Sequence, residues 1–138
     1  MTGPTTLSAS WLMLPGVSAR TRRRMVLLAA GVTWDAVRTP LGYQPVFERL
    51  MANGHDRALL GPVLADTARG CLYWFIAPGA TNDWPDEVLL LGAGSWLVAP
   101  RSVYDITPDA RWLHLPDHPI VPGPAWLAAA LDTARRAA

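Results

Sequence analysis

The chain has 138 residues, about half of them apolar, and a formal net charge of +1. This length and apolar content fit one domain with its own core and exclude a disordered chain, while the small charge neither favours nor excludes a nucleic-acid partner. Its one cysteine, Cys71, excludes an internal disulfide and is expected to be buried. No signal peptide and no membrane-spanning apolar run is visible, so we expect a cytoplasmic protein without a membrane partner.

We predict an irregular N-terminal segment, residues 1–21, followed by one domain, residues 22–138. Thirteen prolines and eleven glycines favour short strands over long helices. Residues 22–31 and 32–40 are predicted as two strands on either side of a turn near Gly31, and Pro40 ends the second strand. A helix is the alternative for residues 22–30, because Met, Leu and Ala favour helices.

Residues 42–54 are predicted as a helix of three turns. Pro45 fits the first turn, and Asn53-Gly54 is a stop signal. The predicted apolar face comprises Val46, Phe47, Leu50 and Met51.

The rest of the chain is predicted to form five short strands and a final helix. Residues 70–79 are the clearest buried strand, because they are apolar on both faces. The other strands are residues 58–66 (interrupted at Gly61-Pro62), 87–92, 95–100 and 111–116. The helix is residues 125–137, with Trp126, Leu127, Ala130 and Leu131 on one face. This order predicts an α+β fold with a mostly antiparallel central sheet, a mid-chain helix and a C-terminal helix.

Three stretches of this pattern occur together in one known family. Residues 91–116, LGAGSWLVAPRSVYDITPDARWLHLP, place Gly-x-Gly before a short apolar strand that ends in Val-Ala-Pro-x-Ser. Residues 69–79, RGCLYWFIAPG, and residues 33–40, TWDAVRTP, precede it. Residues 24–116 thereby resemble the N-terminal Prim-Pol domain of bifunctional DNA primase/polymerases, of the archaeo-eukaryotic primase class.

The resemblance implies a Prim-Pol-like fold but not the activity of the family. That chemistry needs two or three carboxylates that hold two divalent metal ions. Here Asp35 stands alone, with Val37 at its partner's position, and Leu72 replaces the family's phosphate-binding histidine. No acid precedes the glycines, and Tyr104 stands where a histidine is common. The resemblance therefore implies a protein that lacks this catalysis, with no metal and no cofactor. The vestigial motif positions are Asp35, Leu72, Gly92, Gly94, Ser102 and Tyr104.

Gly92 and Gly94 have two interpretations. The simpler one is a tight turn with positive φ that leads into a buried strand. The alternative is that their backbone amides hold a phosphate group.

The only charge run, residues 20–24 (RTRRR), is either a solvated strand start or a phosphate-binding patch. In the second interpretation Arg22, Arg23, Arg24 and Arg101 contact phosphate, and further arginines extend one basic face. These further residues are Arg38, Arg69 and Arg111.

Two other patterns carry interpretations of their own. His114, Asp117 and His118 form either a metal site or an ordinary exposed pair of histidines beside an acid. Five tryptophans are predicted to lie in the core: Trp34, Trp74, Trp96, Trp112 and Trp126. Trp84, within a polar loop, is the predicted exposed one, available for a partner.

The sequence therefore favours an accessory or regulatory binding module for nucleic acid or a protein partner. One alternative is an enzyme of altered, metal-dependent nucleotidyl or phosphoryl chemistry that uses Asp35, Asp66 or residues 114–118. Another is a small scaffold that dimerises through an exposed strand edge. The oligomeric state stays open.

Overall fold

The computed structural model describes residues 25–80, 83–105, 107–116 and 121–137, and these residues form an α+β fold. The strands are β1 Met25–Ala29, β2 Asp35–Pro40, β3 Val63–Asp66, β4 Cys71–Ile76, β5 Leu89–Leu91, β6 Trp96–Pro100 and β7 Ala110–His114. The helices are α1 Gln44–Ala52, α2 Gly54–Leu59 and α3 Pro124–Ala137. The predicted fold class, with a mid-chain and a C-terminal helix, is confirmed.

The strands form two separate antiparallel sheets. Five of them pair in the order β5-β2-β4-β3-β7, and β1 pairs with β6 in a two-stranded sheet. The two strands predicted on either side of Gly31 therefore exist but belong to different sheets. The same is true of the two strands predicted on either side of Ala93-Gly94.

Both faces of the central strand β4 are apolar, because β4 lies between two layers of the fold. Tyr73 and Phe75 point toward the β1–β6 sheet, whereas Leu72 and Trp74 point toward the helices. Since successive side chains of a strand alternate between faces, a strand between two layers needs apolar residues at every position. The predicted buried strand is confirmed, and Cys71 at its start is a buried free thiol.

The helices cover one face of the five-stranded sheet. Val46, Phe47 and Leu50 of α1 are buried there together with Leu127 and Leu131 of α3. Pro45 occupies the first turn of α1, as predicted. Both predicted apolar faces are therefore confirmed, although α1 is shorter than residues 42–54.

The β1–β6 sheet covers the opposite face through a row of aromatic rings. The centroid of Phe75 lies 4.5 Å from that of Trp34 and 5.5 Å from that of Trp112. The indole Nε1 of Trp112 donates a 2.7 Å hydrogen bond to the carbonyl of Pro100, at the end of β6. This row joins the two sheets into one core.

The prediction of a strand over residues 58–66 is wrong in its first part. Ala58 and Leu59 end α2, and β3 begins only at Val63. The reason is Asn53, whose Oδ1 accepts hydrogen bonds from the backbone N–H groups of His55 at 3.0 Å and of Asp56 at 3.1 Å. An asparagine in this role starts a helix, so Asn53-Gly54 ends α1 and begins α2 at once.

Two connections between the sheets run side by side. Residues 30–34 lead from β1 to β2, residues 92–95 lead from β5 to β6, and the Ala30 N–H donates to the carbonyl of Ser95 at 2.9 Å. Gly31 has φ +98°, and a Cβ placed on it would lie 2.4 Å from the Cα of Ala93. Only glycine fits this crossing, because the backbone of the neighbouring segment occupies the space of a side chain.

Within the part of the chain that the structure describes, no helix is long and apolar enough to cross a membrane.

Candidate functional site

Asp35 marks the point where the three motif stretches meet. It is the first residue of β2, its side chain is buried, and its Oδ2 accepts a 2.9 Å hydrogen bond from the backbone N–H of Gly79. A Cβ placed on Gly92 would lie 3.8 Å from the Asp35 Oδ1, so this glycine lies against the carboxylate. One end of the five-stranded sheet thus brings together Asp35, Gly79 and Gly92, which lie far apart in the sequence.

The surroundings of Asp35 differ from those of a two-metal site. Val37, at the position of the expected second acid, and Leu72, at the position of the expected histidine, are both fully buried in the helix-side core. Asp66 pairs with Cys71 and Asp35 pairs with Ile76, which places the two acids at opposite ends of the sheet, about 17 Å apart along the strands. Among the described residues, no three His, Cys, Asp or Glu side chains are grouped so as to hold a metal ion.

The Gly-x-Gly segment forms a turn. The Ser95 N–H donates to the Gly92 carbonyl at 3.0 Å, and Gly94 has φ +93°. The prediction of positive φ is confirmed for Gly94 but wrong for Gly92, which is not in the left-handed region. Gly92 instead lies beside the Asp35 carboxylate, at a distance where a Cβ would make only ordinary van der Waals contact.

Ser102 organises the turn that follows β6. Its Oγ accepts a hydrogen bond from the Tyr104 N–H and donates one to Asp105 Oδ2, both at 3.2 Å. Serine side chains commonly stabilise turns in this way. The turn leaves the Tyr104 ring 68% exposed and also exposes Arg101. No ion pair joins Arg101 to any other residue in the described part of the chain.

The outer surface of the two-stranded sheet is apolar and partly open to solvent. We call it the β1–β6 face, and its residues pair across the two strands as Met25 with Pro100, Leu27 with Val98 and Ala29 with Trp96. Of these residues, Ala29 and Pro100 are buried. Trp96 is 49% exposed and Val98 is 45% exposed. Neither strand carries a charged residue. Arg101 follows just beyond the end of this face.

Trp96 is the functional candidate that the sequence prediction misses, since the pattern of β6 indicates a core position. The alternating burial of β6, in which Leu97 and Ala99 are buried, turns Trp96 outward. Trp84, predicted to be exposed, is half-buried against the helix-side core. The core prediction is confirmed for Trp34, Trp74 and Trp112, and Trp126 packs partly buried against the same helix-side core.

The arginines do not all share one surface. Arg38 pairs with Tyr73 on the face that the β1–β6 sheet covers, whereas Arg111 pairs with Ala65 on the helix face. Arg69 forms a 3.5 Å ion pair with Asp66. The prediction of one basic face that includes all three is therefore wrong, because alternate strand positions point to opposite sides of the sheet.

The remaining predicted phosphate contacts are Arg22, Arg23 and Arg24, which lie outside the described residues. They directly precede Met25 in the sequence, and Met25 pairs with Pro100, the residue before Arg101. Met25, the first described residue, and Arg101 therefore lie at the same end of the β1–β6 face.

His114 lies at the end of β7, with its Nε2 3.3 Å from the carbonyl of Leu60. Burial lowers the pKa of His114 below its ordinary value of 6.5, so the structure favours the neutral ring. Asp117 and His118, the other members of the predicted metal site, lie outside the described residues. The hypothesis of a metal site at these three positions stays a prediction.

Comparisons with known proteins add no family to this description. No protein-family model matches the chain, and neither a curated protein nor a solved structure is similar to it.

Proposed function

We propose that this protein is a non-catalytic binding module for single-stranded nucleic acid, and that the binding surface comprises the β1–β6 face together with Arg101 and the arginines that precede β1 in the sequence. The observation that carries the proposal is Trp96. A large aromatic ring stands half-exposed on a strand without charges, and arginine follows at the end of the same strand.

The β1–β6 face has the chemistry of a stacking platform. Proteins that bind single strands without sequence preference stack bases on exposed aromatic rings, and each such contact contributes about 1–3 kcal/mol. Trp96 offers the ring, Val98 and Leu27 extend an apolar surface beside it, and Tyr104 adds a second exposed ring beyond the end of β6. Bases within a duplex are already stacked on each other, so this platform favours a single strand.

Arginine supplies the complement to phosphate. All twelve basic residues of the chain are arginines, and the planar guanidinium group binds phosphate oxygens in pairs of hydrogen bonds. Arg101 is exposed about 17 Å along β6 from Trp96, with its charge unpaired among the described residues. Arg22, Arg23 and Arg24 precede β1, the strand that pairs with β6.

The surroundings of Asp35 support binding rather than nucleotidyl transfer. One oxygen of its carboxylate is already held by the Gly79 N–H. Val37 and Leu72 fill the neighbouring positions with buried hydrocarbon, which offers no ligand to a divalent cation.

We expect Trp96→Ala to weaken the binding of a fluorescent oligothymidine by about 5- to 150-fold, because the variant has no ring on which a base can stack. Trp96→Phe keeps an aromatic ring and should retain most of the affinity. Leu59→Ala, which removes an exposed apolar residue from the helix side, serves as the matched control and should bind like the original protein. Fluorescence anisotropy at low salt, with a duplex of the same length for comparison, measures each affinity. If Trp96→Ala bound as tightly as the original protein, the proposed surface would be wrong.

A further inference from the structure

A pocket on the helix side of the sheet is separate from the β1–β6 face. Tyr43, part of the segment 83–88 and part of α3 line a cavity of about 320 Å³, which is at the lower end of the volumes of small-molecule sites. Its apolar floor includes Val88 and Leu131, both of which belong to the helix-side core. A ligand here would therefore not touch the surface that we assign to nucleic acid.

Two aromatic residues form part of the wall. Tyr43 and Trp84 both line the pocket, and the hydroxyl of Tyr43 donates a 2.9 Å hydrogen bond to Glu87 Oε2. The faces of aromatic rings carry partial negative charge and attract cations, above all alkylammonium groups without N–H donors to satisfy. The apolar floor suits the alkyl substituents of such a cation.

The charges around the pocket favour a positive ligand. Arg135 lines it, but its guanidinium group is already paired with Glu87 at 3.4 Å and with Asp132 at 3.3 Å. Asp83 also lines the pocket and forms no ion pair with any residue that the structure describes. Among the described residues, the Asp83 carboxylate thus has no counter-charge, whereas the Arg135 guanidinium has two carboxylates.

Trp84 contributes its ring to the wall rather than its polar group. Its indole N–H is buried and has no acceptor within the described ranges of the chain, so the contact that Trp84 offers a ligand in the pocket is the ring.

From these features we infer that the pocket binds a small alkylammonium cation. The aromatic rings and Asp83 hold the cationic head, and the apolar floor holds its alkyl groups.

The test uses choline as the probe and 3,3-dimethyl-1-butanol as its neutral isostere, because the two share shape and hydroxyl but differ in charge. Isothermal titration calorimetry of the full chain should show saturable binding of choline and at least about tenfold weaker binding of the isostere. Trp84→Leu and Asp83→Asn should each weaken choline binding by about fivefold or more. Asp86→Asn, an exposed acid of the same segment that does not line the pocket, is the matched control and should bind choline unchanged.

Arg135→Gln decides the sign of the ligand's charge. It removes the one guanidinium that lines the pocket, so a cation should bind more tightly to the variant and an anion more weakly. Circular dichroism confirms that each variant is folded. No choline binding by the original protein, equal affinity for the neutral isostere, or weaker choline binding by Arg135→Gln would each overturn the inference. None of these outcomes bears on the nucleic-acid surface, which lies on the other side of the sheet.

Discussion

Replacement of Gly31 by alanine should lower the free energy of unfolding by about 2–5 kcal/mol, because two independent costs act at this position. The backbone has φ +98°, a conformation that side chains other than that of glycine adopt only with strain. The new Cβ would also lie 2.4 Å from the Cα of Ala93, and the obstacle is backbone rather than a flexible side chain. The two connections between the sheets would have to separate.

Gly70→Ala carries only the first of these costs, the strained backbone conformation, so the difference between the two variants measures the second cost, the close approach to Ala93. Gly70 also has positive φ, +69°, but a Cβ there would meet nothing within 4 Å. The destabilisation by Gly70→Ala should therefore stay near the cost of the backbone conformation alone, about 1 kcal/mol. Urea denaturation of both variants measures the difference. Equal destabilisation by the two substitutions would mean that the close approach to Ala93 is not a real constraint.

Phe75→Ala should destabilise the fold by about 3–5 kcal/mol, as expected when a large buried ring is removed and its cavity only partly collapses. Phe75 is 1% exposed and stands between Trp34 and Trp112 in the row that joins the two sheets. Removal of the ring would leave both tryptophans without their shared neighbour and weaken the packing of the β1–β6 sheet on β4.

Val32→Ala provides the comparison for Phe75→Ala. Val32 is 58% exposed in the segment between β1 and β2, so its truncation should change stability by no more than about 0.5 kcal/mol. The same urea titration measures both variants. A destabilisation of less than about 1 kcal/mol by Phe75→Ala would contradict the description of this ring row as the packing that joins the two sheets.

The elements of this fold were predictable where local patterns decide them. The apolar residues of β4 occur at every position, because that strand lies between two layers. Val46 and Leu50 recur at helical spacing, with Pro45 in the first turn of α1. These signals arise from residues close in the chain, so they need no knowledge of the remote partner.

The arrangement of the strands was not predictable, because pairing depends on remote partners. β1 is followed in the chain by β2 but pairs with β6, about seventy residues further on. Nothing at Gly31 or at Ala93-Gly94 distinguishes a change of sheet from a hairpin. The close approach of these two turns becomes visible only in three dimensions.

The exposed face of β6 could not be predicted from its composition. A strand with one exposed face usually alternates apolar and polar residues, but Trp96, Val98 and Pro100 are apolar as well as Leu97 and Ala99. The pattern therefore indicates burial on both sides and predicts a core position for Trp96. Apolar residues on a solvent-exposed strand face depart from the usual pattern, and such departures occur at functional surfaces.

The contact between Asp35, Gly79 and Gly92 was not predicted, because the three residues lie far apart in the sequence. The structure places them together at one end of the sheet. This juxtaposition does not by itself assign a family. The hydrogen bond from Gly79 shows a local structural use for the Asp35 carboxylate.

The salt dependence of single-strand binding tests the central claim most directly. Fluorescent oligothymidine should bind the original protein at low salt, and log K should fall linearly with log salt concentration. Arg101→Ala should reduce that slope by about 0.7, and a combined replacement of Arg22, Arg23 and Arg24 by alanine should reduce it by about 0.7 for each phosphate group that these arginines neutralise. No detectable binding at low salt, or slopes that these replacements leave unchanged, would contradict the proposal that this protein binds single strands through the β1–β6 face and its arginines.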